Sequence, residues 1–305
     1  GLTYPMASFD PNVLYASGIV ELFDLDPGPA PFQINWWYSP RFDYEIIHED
    51  DEKIEYVDTL GIRCLNYKDQ RSMPHWLEFP LKTKKDWDKI KEERLSIKNI
   101  SQRYTAENIS EYIKQLKNRD FPLVIYGSPI GFFGSIRFLI GEPAIYYMYY
   151  DEPALIKDIV EHLTKLWLII AEEVTSLCDF DAGYFFEDMA GKQGSLIGPD
   201  IFKEFMSPHY KKIIDFAKTK NVRHFIVDSD GFVEDLIPLF IDAGMTGMLP
   251  FEIRAGNDIE RIRKNFPKFQ ILGGIDKTAL QSKYAIDKEI EKVKRMLPLG
   301  GYIPF

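Results

Sequence analysis

From residue 121 onward, short apolar runs alternate with amphipathic helical stretches, and this alternation restricts the chain to a parallel β/α architecture. The runs are Leu123–Tyr126, Gly183–Phe186, Phe225–Val227, Gly247–Leu249, Phe269–Leu272 and Tyr302-Ile303. Between the first two, Leu155, Ile159, Leu163, Leu166 and Ile170 recur at helical spacing within 153–177. Phe202, Phe205, Tyr210, Ile213 and Ala217 mark the apolar face of a helix over 199–219. That helix opens on Gly198-Pro199, as suits a first turn. Further helices are expected over 233–242, 258–265 and 286–296. Two arrangements satisfy this pattern, a TIM (β/α)8 barrel and a doubly wound sheet. No Gly-x-Gly-x-x-Gly follows the first strand, which weakens the dinucleotide-binding form of the second.

The 305 residues are enough for one barrel, which takes ~250. The earlier part of the sequence reads differently. Residues 1–40 are rich in Pro, Asp and aromatic side chains. Over 42–81, Tyr44–Ile47 and Ile54–Val57 flank the acidic turn Glu49-Asp50-Asp51-Glu52, and Ile62–Asn66 follows Gly61. This predicts a small antiparallel excursion within a single 1–305 domain. Residues 84–118 are charged and helical, with Trp87, Ile90 and Leu95 as candidate buried positions. The first part of the barrel is expected from 1–120 or from residues missing at the N-terminus. The sequence opens on Gly1 and stops just after an apolar run, so one or both ends are expected to be cut.

Composition removes several function classes. The formal net charge of −10 disfavours binding to nucleic acid or to an anionic membrane face. No apolar stretch reaches the ~20 residues of a membrane span. Cys64 and Cys178 are the only cysteines, too few for a disulfide framework or a dense zinc motif, so a reducing, cytoplasmic setting is expected.

Carboxylates follow four successive strands: Glu187-Asp188 after Phe186, Asp228 and Asp230 after Val227, Glu252 after Leu249, and Asp276 after Leu272. In a parallel barrel those strand ends surround one mouth, where active sites form. Each acid alone could cap the following helix. Four together point to a shared cavity holding a metal, a cationic group or a protonated acid. Glu187, Asp188, Asp228 and Asp230 are the candidate catalytic residues. Tyr126, Arg137, Glu252 and Asp276 are the candidate substrate contacts, and Asp228, Asp230 and Glu252 the candidate metal ligands. Adjacent acids cannot both face inward, so one of Glu187 and Asp188 must turn away, whereas Asp228 and Asp230 share parity. Glu187, Asp228, Asp230 and Glu252 are expected to point into one cavity, with Asp188 or Asp276 fixing neighbours instead. The histidines carry less. His224 begins a strand, opposite the mouth; His48, His75, His162 and His209 read as structural or surface residues.

Phe186-Glu187-Asp188-Met189-Ala190-Gly191, followed by Leu196-Ile197-Gly198-Pro199-Asp200-Ile201-Phe202 and Pro208-His209-Tyr210, resembles the uroporphyrinogen decarboxylase superfamily. Asp228-Ser229-Asp230-Gly231, Ile271-Leu272-Gly273-Gly274-Ile275-Asp276 and Gly127-Ser128-Pro129 resemble its other segments. The resemblance spans roughly 121–305 and implies a TIM barrel. That superfamily contains decarboxylases of uroporphyrinogen, and methyltransferases that work with corrinoid proteins or thiol cofactors, usually with zinc. The decarboxylases carry an Arg-Gln-Ala-Gly-Arg-Tyr motif that is not seen here. Gly131 stands near their Thr, and Arg137 near a Tyr. The thiol-methylating members bind zinc through His-x-Cys-Gly, where this chain has Asp228 and Asp230, so a thiolate site is absent, although carboxylates also bind zinc.

The acidic excursion and Met73-Pro74-His75-Trp76 look most like corrinoid-dependent O- or N-demethylating methyltransferases. The resemblance therefore implies methyl transfer from a small methylated donor to a corrinoid protein, with acid or divalent-metal activation. The alternatives are decarboxylation of a tetrapyrrole acid, with Arg137 as the cation, and a corrinoid- or tetrapyrrole-binding protein without turnover.

Overall fold

The computed structural model describes residues 29–69, 72–127 and 129–305. Residues 1–28, part of the 1–120 stretch expected to supply the first barrel strands, and the Ser128 position of the Gly-x-Pro loop lie outside them. In chain order the strands are β1 (Ala30–Pro31), β2 (Glu45–Glu49), β3 (Lys53–Val57), β4 (Arg63–Tyr67), β5 (His75–Glu78), β6 (Leu123–Tyr126), β7 (Ala182–Phe186), β8 (Ala190–Gly191), β9 (Gly194–Ser195), β10 (His224–Asp228), β11 (Gly247–Leu249), β12 (Gln270–Leu272) and β13 (Tyr302–Ile303).

Seven of them form one parallel sheet in the order β1-β6-β7-β10-β11-β12-β13. The six apolar runs of the sequence all appear in it, and sequential order along the sheet is the barrel arrangement rather than the doubly wound one. It is a curled half-barrel. Among the described residues β1 and β13 are not paired with each other, so the closed eight-stranded ring expected from sequence is reached only in part. β1 was not legible: it is two residues long and ends on a proline.

Burial alternates along the central strands. Gly183 and Phe185 of β7 and Phe225 and Val227 of β10 are buried, while Tyr184, Phe186, Ile226 and Asp228 are half-open. Phe185 packs against Tyr210 of the helix Ser207–Thr219, so the buried set faces the helices and the half-open set faces the other side of the sheet. The long helix Pro153–Thr175 buries Leu155, Ile159, Leu163, Leu166 and Ile170, the spacing read from sequence. Each such side chain contributes about 1.5–3 kcal/mol of burial.

The helix expected over 199–219 is not uniform. Phe202–Met206 is a π-helical turn leading to Pro208. Proline has no N–H to donate and crowds the carbonyl four residues back, and the wider turn accommodates both defects. The stretch 84–118 divides into Lys84–Glu93 and Ile109–Lys117, capped by Thr83 and Asn108. Trp87, Ile90 and Leu95 are buried as expected.

The excursion is a separate antiparallel sheet, β2-β3-β4-β5. Its first hairpin closes where Asp50 Oδ1 accepts from the amides of Glu52 (2.8 Å) and Lys53 (2.7 Å), an Asx turn encoded by the acidic tetrad. Ile62 and Cys64 pack on Phe138, with Phe186 and Phe79 beside them. The excursion therefore rests on the C-terminal end of β7 and on the helix Phe132–Ile140.

Candidate functional site

The end of β7 and the start of the helix Phe132–Ile140 meet backbone to backbone. A Cβ on Gly131 would lie 1.9 Å from the Phe186 carbonyl oxygen, and one on Gly134 would lie 2.5 Å from it. Only glycine admits this approach. It places the first-turn amides of the helix over the side chain of Glu187. Glu187 Oε1 accepts from the Phe132 amide at 2.8 Å and Oε2 from the Gly134 amide at 2.9 Å, and the Tyr210 hydroxyl donates to Oε1. The carboxyl is fully buried, and that burial pushes its pKa up to about 8 against the lowering pull of the helix amides.

Asp188 points the other way, at φ 43°. Arg137 Nη1 donates to its carbonyl oxygen at 2.9 Å, and Nη2 meets its carboxylate at 2.6 Å. One of the two adjacent acids does turn away, as parity requires, and it is Glu187. The expectation that Glu187 faces the shared cavity is thereby corrected, because the helix-start amides and the Tyr210 hydroxyl take its oxygens.

On the half-open face, Asp228 accepts a hydrogen bond from the Tyr184 hydroxyl. Burial pushes the Asp228 carboxyl up to about 7; the Tyr184 bond lowers it and the nearby Asp230 and Asp188 raise it further. Asp230 lies on the rim with its carboxyl partly shielded from water, which raises its pKa, as do Asp188 and Glu252, with Lys277 opposing. Glu252 accepts from the Gly231 amide at 3.0 Å and lies 3.6 Å from Lys277 Nζ. Ser229, between the two aspartates, is buried and accepts from the Met189 amide at 3.0 Å. Asp188, Asp228, Asp230 and Glu252 are thus electrostatic neighbours at the strand ends, faced by Arg137 and Lys277.

The other expected residues fall elsewhere. Asp276 caps the turn that follows it, accepting from the Thr278 amide at 2.9 Å and the Thr278 hydroxyl at 2.8 Å, which holds its pKa below the usual value. For this acid the capping reading is correct. Tyr126 is fully buried between Trp36 and Phe185, and its hydroxyl donates to the Ile213 carbonyl at 3.4 Å, so it lies in the core. Among the described residues no group of three or more His, Cys, Asp or Glu is gathered to hold a metal ion. The expected ligands Asp228, Asp230 and Glu252 are committed to Tyr184, to the exposed rim and to Gly231 with Lys277. These three are therefore not gathered as a ligand set among the described residues.

His224 starts β10 and bonds Gln270 at the start of β12, away from the acids. His162 bonds the Leu95 carbonyl, and His209 the Thr164 hydroxyl. Both cysteines are free.

Sequence reasoning missed Tyr184, Tyr210, Asn257 and Lys277. Tyr184 stands four residues before the flagged Asp188 and shares the face of Phe186, so strand parity was a usable signal for it. Asn257 is buried, holds the Gly231 and Glu252 carbonyls at 2.8 and 2.9 Å, and accepts from the Val233 amide at 3.0 Å; it ties the two acid-bearing loops together. Nothing local distinguishes it. A recess of about 580 Å³ lies apart from the acids, beneath the excursion, lined by Ile47, Val57, Arg63, Glu78 and Lys82 among others. Its charges pair with one another, Arg63 with Glu78 at 3.7 Å and Lys82 with Glu78, so it offers no free convergent group.

Fold and site together define a parallel β/α protein with an acidic cluster at the C-terminal ends of its strands. The chain belongs to the uroporphyrinogen decarboxylase (URO-D) family, which matches residues 57–303. A solved methyltransferase from Methanosarcina mazei has the same fold, with a TM-score of 0.60 and 16% sequence identity over 99% of this chain and 81% of that one. No curated protein matches the chain. No helix among the described residues is long and apolar enough to cross a membrane.

Proposed function

We propose that the chain is a methyltransferase of its family, which moves a methyl group from a small O- or N-methylated donor to a corrinoid carried by a partner protein. The observation that carries this reading is Asp228. It is a half-buried carboxyl with a pKa of about 7, bonded to Tyr184 and flanked by Asp188 and Asp230. A methyl group on oxygen or nitrogen leaves slowly unless its heteroatom is protonated. About half of the Asp228 carboxyls carry a proton at neutral pH, and this proton passes to that heteroatom, while Tyr184 holds the carboxyl in place. The corrinoid, when docked, supplies the nucleophile that accepts the methyl group. The fold likeness to a methyltransferase supports the reading, and the reading carries with it a barrel closed by an eighth strand.

The charge of the site favours a neutral or cationic donor over a polyanionic tetrapyrrole, since carboxylates outnumber Arg137 and Lys277. Decarboxylation would need a free cation near the developing carbanion, and Arg137 is already neutralised by Asp188. The test is anaerobic incubation of the full chain with aryl methyl ethers or methylamines and reduced free cobalamin, followed by absorbance. Methylcobalamin should form, and Asp228→Asn should slow it by roughly 10²-fold or more, the usual worth of a general acid. Coproporphyrinogen formed from uroporphyrinogen at a comparable rate would overturn the reading.

A further inference from the structure

Glu187 is out of a substrate's reach. Its two oxygens take the Phe132 and Gly134 amides and the Tyr210 hydroxyl, and it is fully buried. Its immediate neighbour Asp188 sits at φ 43°, a left-handed backbone region that a non-glycine residue seldom occupies. Such a conformation persists only where the surroundings over-determine it. Here both sides do so, and both act through one helix. The first turn of Phe132–Ile140 grips Glu187, and Arg137, five residues further along, grips Asp188 by carbonyl and carboxylate. A helix rises 1.5 Å per residue and moves as a rod, so a shift of its N-terminus carries Arg137 with it. Arg137 is confined by its own surroundings, with Phe133 and Phe138 ring centroids each 5.9 Å away and the side chain 12% exposed. Gly131 and Gly134 let the rod sit flush on the strand end.

We propose that Glu187 is a positioning residue. With Tyr210 it anchors the helix Phe132–Ile140 on the end of β7, and this anchorage sets Arg137 against Asp188 and orients Asp188 beside Asp228. The proposal concerns the site and does not depend on which reaction the site performs. It also separates two acids that are adjacent in sequence: Asp188 belongs to the charged cluster, and Glu187 to the frame that holds it.

The experiment compares Glu187→Gln, Glu187→Ala and Tyr210→Phe in the full chain. The readouts are amide hydrogen exchange at Phe132 and Gly134 and the NMR signal of the Arg137 guanidinium, with β12 amides as the reference. Glu187→Ala should speed exchange at both amides by about tenfold or more and disperse the Arg137 signal, while β12 is unchanged. Glu187→Gln keeps the shape and one acceptor, so it should keep Arg137 ordered and one of the two amides protected, while the amide left facing the Gln NH2 exchanges fast. Tyr210→Phe should fall between them, and it carries the test together with Glu187→Gln if the alanine variant does not fold. An Arg137 signal and amide exchange indifferent to all three changes overturns the proposal. So does a Glu187→Gln variant that loses methyl transfer as fully as Glu187→Ala while Arg137 stays ordered in both, because that pattern marks a proton role. A wild-type chain without methyl transfer overturns the proposed function and leaves these readouts standing.

Discussion

Asp228 and Glu187 are both carboxyls with raised proton affinity, to about 7 and about 8, yet the causes lead to different consequences. Asp228 lies half-open among other acids and can exchange its proton with a ligand. Glu187 is sealed under a helix start. In the unfolded chain both titrate near 4. A carboxyl whose folded pKa is raised stabilises the fold fully below the unfolded value, and that contribution is lost as pH rises through the folded value. The chain is therefore expected to lose stability on going from pH 5 to pH 9, by about 3 kcal/mol from Asp228 and about 4 kcal/mol from Glu187. Urea unfolding at pH 5, 7 and 9 measures it. Glu187→Gln should flatten the curve, and a chain whose stability climbs over that interval contradicts the assignment. Asp276, whose pKa is lowered by its Thr278 bonds, acts in the opposite sense, with its contribution lost in acid.

At the scale of elements, the contact between the helix Phe132–Ile140 and β7 pits helix propensity against sterics. Alanine in place of Gly134 should favour the helix by about 1 kcal/mol. Its Cβ would, however, meet the Phe186 carbonyl oxygen at 2.5 Å and the Glu187 carbonyl oxygen at 3.2 Å, and neither backbone atom can yield without displacing the strand end. Sterics should win, with Gly134→Ala destabilising the chain by about 2–3 kcal/mol. Gly198, at the start of the π-bulged helix, has nothing within 4 Å of its would-be Cβ. Gly198→Ala should stay within about 0.5 kcal/mol of wild type. Chemical denaturation of the pair distinguishes them, and equal effects would show that the helix slides freely on the strand.

For the molecule as a whole, the excursion meets the sheet through a small apolar contact in which Phe138 is the shared side chain. Phe138→Ala should cost about 3–5 kcal/mol. It should also raise hydrogen exchange in β3 and β4 before it does so in β10 to β12, because the two sheets have separate cores. Uniform acceleration across both sheets would show a single cooperative unit. The six strands after residue 121, their parallel order and the location of the acids at the strand ends were determined by the sequence alone, because period-two and period-3.6 burial are local properties of the chain. The same locality explains the correct pairing of hairpin and acidic turn at Asp50. What only the tertiary structure decided is which acid faces where. Glu187 and Asp188 are equivalent in sequence, and the choice between them is made by a helix start more than fifty residues earlier, brought close by two glycines. Tyr126 looks like a strand-end ligand until Trp36 covers it, and Asp276 looks like a fourth mouth acid until Thr278 takes its oxygen. Orientation of a charged group at a strand end is set by whichever donors arrive from distant parts of the chain, and no pattern along the chain encodes them.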